Sequence, residues 1–139
     1  MTRIIQLLDQ KNHYLEKFYA LGEEALTELS KGQFNDIESF YDNREKILEM
    51  IRYIDFEVNE AQNQITEEVD SISRQEVKER LKVKEVYVSQ ILDQDLSIMS
   101  FIEQVKSEII RELQQVKQAK KAVGGYKTRQ FKHTLNEEA

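Results

Sequence analysis

VKERLKVKEVYVSQILDQDLSIMSFIEQVKSEIIRELQQVKQAKKAV, residues 77–123, decides how this chain folds. Val77, Leu81, Lys84, Val88, Ile91, Asp95, Ile98, Ile102, Val105, Ile109, Leu113, Val116 and Val123 follow one another at steps of three, four or seven. That spacing is one stripe along a single long α-helix. Gly124-Gly125 comes next, and a glycine pair after the last apolar position predicts the helix end.

Upstream, a second stripe runs through Ile37, Phe40, Arg44, Ile47, Ile51, Ile54, Val58, Ala61, Ile65 and Ile72. Asn35 is its expected cap, with Glu38 placed to complete a capping box. Ser73 followed by Glu76 repeats that signature, which puts the break between the second and third helices near Asp70 to Ser73. Before it, Ile4, Leu8, Leu15, Phe18, Gly22, Ala25 and Leu29 form the first stripe, interrupted at Lys11, with Leu7, Tyr14 and Leu21 beside it. Gly32 is the natural stop, because glycine alone takes the left-handed conformation without a Cβ penalty. Helices are therefore expected over about 2–30, 35–70 and 74–123.

The fold class is all-α: an elongated antiparallel three-helix bundle or coiled coil, with residues 1–125 as the bundle and 126–139 as a short, basic, mobile C-terminal tail. Composition agrees, with no Pro, four Gly and 33% charged residues in 139. Folding back at the two turns sets Leu29 beside Ile37, Ile65 beside Leu81, and Ile37 beside Ile109. About three turns of the third helix then extend past the second, leaving Val116 and Val123 without a partner.

Charge changes sign in the same place. Residues 1–112 hold 14 Lys and Arg against 24 Asp and Glu, whereas residues 113–136 hold six basic residues and no acidic one. Lys117, Lys120 and Lys121 suit the negative end of a helix that stops at Gly124. Arg129 and Lys132 lie beyond that end, so a basic arm that meets an acidic surface is the sharper expectation. Arg44, Lys84 and Asp95 interrupt apolar tracks and are expected to set register, with Arg44 facing Gly22 and reaching for Glu23 or solvent.

Chemistry is sparse. There is no Cys, hence no disulfide, thiol nucleophile or thiolate metal site. His13 and His133 stand in no metal-binding spacing, and His13 is expected on the surface of the first helix. Gly124-Gly125 has neither the preceding strand nor the following Lys-Ser/Thr of a phosphate loop. No enzyme, cofactor or metal is expected, nor a signal peptide or a membrane-spanning segment. Tyr126, Phe131 and Leu135 follow the glycine pair in a segment too short to bury them, where aromatic residues act as binding anchors.

Leu15-x-x-Phe18, Leu21-Gly22, Ala25-Leu26 and Leu29-x-Lys31-Gly32, leading to Ile37, Phe40, Arg44 and Ile47-Leu48, resemble the FlgN/FliT type of flagellar export chaperone over about the first 55 residues. The resemblance implies a small cytoplasmic helical protein that holds the C-terminal segment of an exported flagellar subunit and delivers it to the type III export gate. For the FlgN branch the clients are the hook-filament junction proteins. It further implies docking to the export-gate component FlhA through a tyrosine near the end of the helical body, here Tyr126. Client contact then falls on Ile109, Leu113, Val116, Val123, Phe131 and Leu135. The alternative is a homodimeric coiled-coil structural or adaptor protein, so the chain is expected to be a monomer or a homodimer. Nucleic-acid binding through the basic arm is disfavoured by the acidic excess before it.

Overall fold

The computed structural model describes residues 1–32 and 36–138, with side chains as far as Gly124. It is all-α, with three helices: α1 (Thr2–Ser30), α2 (Ile37–Asn63) and α3 (Ser71–Glu138). The chain divides into two compact units, Met1–Phe101 and Ile102–Ala139.

In the first unit, α1 spans the expected residues and stops where Gly32 takes φ 67°, its N–H donating to the Leu29 carbonyl at 3.1 Å. The expected cap of α2, Asn35, lies outside the described residues. Asp36 serves instead, its carboxylate accepting from the Ser39 N–H at 2.9 Å. The break after α2 is real but wider than expected, because α2 ends at Asn63 and not near residue 70. Glu67, Glu68 and Asp70 would have crowded the negative end of a longer helix. Ile65 and Ile72, counted in the stripe, are exposed.

Asp70, rather than Ser73, caps α3. Its carboxylate accepts from the Ser73 N–H at 3.3 Å, and its carbonyl accepts from the Arg74 N–H at 3.1 Å. Hydrogen bonds from the Ser73 hydroxyl and then from its N–H hold the Asp70 carboxyl below its ordinary pKa.

The buried centre of this unit is Leu15, Phe18, Ile51 and Ile91, joined by Tyr14, Tyr19, Ile47, Leu48 and Tyr87. Leu7, Ile54 and Ile98 are the most deeply enclosed side chains. Burying each such side chain contributes about 1.5–3 kcal/mol. Polar pairs between helices fix which residues meet. Arg3 reaches Glu57, Lys11 reaches Asp55 at 2.6 Å, and Arg80 reaches Asp9 at 2.8 Å while its carbonyl accepts from Asn12.

Lys11 beside Asp55 is the pairing that Leu29 beside Ile37 implies for α1 and α2, whereas Arg44 meets Asp95 seven residues earlier on α3 than Ile65 beside Leu81 implies; Ile37, Ile65, Leu81 and Ile109 are all exposed. Arg44 does not face Gly22. Its guanidinium binds Asp95 at 2.7 Å and lies over the rings of Phe18 and Phe40, 4.6 and 5.2 Å from their centroids. Two of the three expected interruptions thus neutralise each other, while Lys84 is half-buried with no ion pair among the described residues.

The space at Gly22 belongs to Gln94, which is 4% exposed and donates to the Tyr19 carbonyl at 2.8 Å and to Glu23 at 3.1 Å. A Cβ on Gly22 would collide with the Gln94 carboxamide. Alanine at 22 gains about 1 kcal/mol of helix propensity but displaces hydrogen bonds together worth about 2 kcal/mol. Gly22→Ala is therefore expected to lower stability by about 1 kcal/mol, and to raise it by about 1 kcal/mol in a Gln94→Ala background. Urea unfolding of the four proteins checks this; the same sign in both backgrounds contradicts it.

The second unit is the remainder of α3. The helix runs on to Glu138, through the glycine pair expected to end it.

Candidate functional site

Burial along α3 changes after Ile102, although the apolar spacing does not. Ile91 and Ile98 are buried and Phe101 and Ile102 half-buried. Beyond them every described apolar side chain is open: Val105, Ile109, Leu113, Val116 and Val123 are between 37% and 56% exposed. The open part therefore begins before the overhang expected to leave Val116 and Val123 without a partner: Val105 and Ile109 already belong to it. Four of the six expected client-contact residues, Ile109, Leu113, Val116 and Val123, share this one face. The side chains of Phe131, Leu135 and Tyr126 lie outside the described residues.

The face has a definite electrostatic border. Lys106, Lys117 and Lys120 flank it on one side, and Glu108 and Glu112 on the other, all exposed. None of these five takes part in an ion pair among the described residues. Leaving a row of branched apolar residues in water forgoes the main driving force of folding, and an amphipathic helix with an uncovered seam is the usual form of a helix-docking surface.

A second track was missed in the sequence. Val88, counted in the main stripe, is exposed, and Leu92, Leu96 and Met99 follow it at steps of four, four and three, exposed on the first unit's part of α3. Their spacing was visible, but the stronger stripe through Ile91 and Ile98 masked it. Exposed Tyr53 and Phe56 on α2 carried no periodic signal.

Among the described residues, no group of three His, Cys, Asp or Glu side chains could hold a metal ion. Tyr19 is pushed above its ordinary pKa, first by desolvation and then by Glu23, which accepts a hydrogen bond from its hydroxyl. That keeps the phenol protonated and makes it a poor base. His13 is exposed, as expected, and edge-on to Tyr14. No described helix is long and apolar enough to cross a membrane.

No protein-family model, curated protein or solved structure matches the chain.

Side chains already in water cost little to replace, so Val116→Asp with Val123→Asp is expected to leave the unfolding midpoint within about 0.5 kcal/mol of the parent. Ile98→Asp, which puts a charge at a site only 2% exposed, should unfold the protein. Thermal melts followed by far-UV circular dichroism check the contrast; equal losses from both changes would mean that the Val116–Val123 face is packed.

Proposed function

We propose that this chain is a cytoplasmic export chaperone of the FlgN/FliT type. It holds the amphipathic C-terminal segment of a flagellar hook-filament junction subunit and passes it to the type III export gate. The observation that carries this proposal is the open apolar face from Val105 to Val123 on a helix whose earlier part packs into a core. A client helix laid on that face shields its own apolar side from aggregation and completes the unpartnered stripe.

The first unit, in this reading, is an antiparallel three-helix bundle. Three sets of contacts support that arrangement. Arg3–Glu57 and Lys11–Asp55 join early α1 to late α2. Asp9–Arg80 and Tyr19–Gln94 advance together along α1 and α3, so those two helices run the same way. Arg44–Asp95 joins α2 to α3. The resemblance in the first 55 or so residues supplies the flagellar context, and assigns Tyr126 to docking with FlhA.

Affinity capture from the native cytosol tests the proposal. The full-length protein is expected to retain one dominant flagellar subunit, and Val116→Asp with Val123→Asp to lose it while keeping parental helicity. Undiminished retention by the double variant would refute the assignment of the face.

A further inference from the structure

Lysines 117, 120 and 121 lose their simplest explanation once α3 is seen to end at Glu138. A positive charge complements the helix dipole only within the last turn, and these residues lie several turns before it. They also sit three and four apart, where like charges repel one another along a helix. Their arrangement is directional. Lys106, Leu113, Lys117 and Lys120 follow at steps of seven, four and three, which is the track immediately beside Val105, Ile109, Val116 and Val123. The opposite track is Glu108, Glu112, Gln115 and Ala119, so beyond Leu113 one border of the face is basic and the other uncharged.

A second copy of the chain does not match that border. In an antiparallel pair the lysine track meets itself. In a parallel, in-register pair Lys120 falls opposite Gln115 and Glu108 opposite Leu113, which forms no ion pair. A nucleic-acid backbone would satisfy the lysines but leave the apolar stripe in water, beside a chain with ten more acidic than basic residues before Leu113.

We propose that the occupant of this face is an acid-flanked amphipathic helix. Its apolar residues, three and four apart, cover Val105, Ile109, Val116 and Val123, and its Asp or Glu side chains border them on the side that meets Lys106, Lys117 and Lys120. This rests on the docking face proposed above and narrows its client to one chemistry. The ion pairs lie at the rim, so they select among amphipathic helices and speed encounter more than they add affinity.

The test uses the full-length protein and two synthetic peptides with identical leucine seams, one flanked throughout by Glu and the other by Lys, followed by fluorescence anisotropy. The Glu-flanked peptide is expected to bind about tenfold more tightly at low salt, with the gap closing at high salt as rim charges are screened. Lys106→Glu, Lys117→Glu and Lys120→Glu together should reverse the preference without loss of helicity. Equal binding of both peptides, abolished for both by Ile109→Asp, would overturn the charge rule while the docking face stands. Failure of both peptides to bind would overturn both. A stable dimer broken by Ile109→Asp, or duplex DNA displacing the Glu-flanked peptide, would overturn the proposal in favour of a second copy or a nucleic acid.

Discussion

The close approach of Gln94 to Gly22 is the contact on which the arrangement of the first unit depends. Apolar stripes with a three-four repeat slide past one another at little cost, since every heptad offers a similar surface. Gln94 removes that freedom because its carboxamide fits only where α1 lacks a side chain, and there it finds the Tyr19 carbonyl and the Glu23 carboxylate. One residue further on, Asp95 takes Arg44 from α2, with Phe18 and Phe40 under the guanidinium. Adjacent positions of α3 thus fasten the two other helices. The Gln94 carbonyl oxygen stays buried without a hydrogen bond, a cost that goes with a register-setting polar group in an apolar seam.

Helix type and the limits of α1 were legible because spacing and a glycine that adopts a positive φ agreed with each other. The glycine pair at 124 and 125 misled for a physical reason. Glycine within a helix costs about 1 kcal/mol relative to alanine, which weakens a helix without ending it. Gly32 stops α1 because the chain soon offers Asp36 as the cap of a new helix. After Gly125 come Tyr126 and Lys127, which offer the backbone no competing hydrogen bond.

The register of α3 was not legible, although Lys11–Asp55 keeps the pairing of α1 with α2 that their stripes imply. It depends on which polar side chains reach one another, and the space at Gly22, expected to receive Arg44, is filled by Gln94. The candidate face was half legible: Leu113, Val116 and Val123 were expected to be uncovered, but the opening begins earlier, at Val105. Periodicity reports which residues share a face and is silent on what covers it. The lysine border needed the true end of α3, since only then do Lys117 and Lys120 lie too far from a helix end to complement it.

Function, in this account, follows from a helix that is core in its first part and working surface in its second. Site-resolved amide hydrogen exchange tests that division most directly. In the free protein at low micromolar concentration, amides 105–123 are predicted to exchange faster than amides 84–101, and to slow when the Glu-flanked peptide is added. Equal protection of the two stretches in the free protein would contradict the account, since it would mean that the face is already covered.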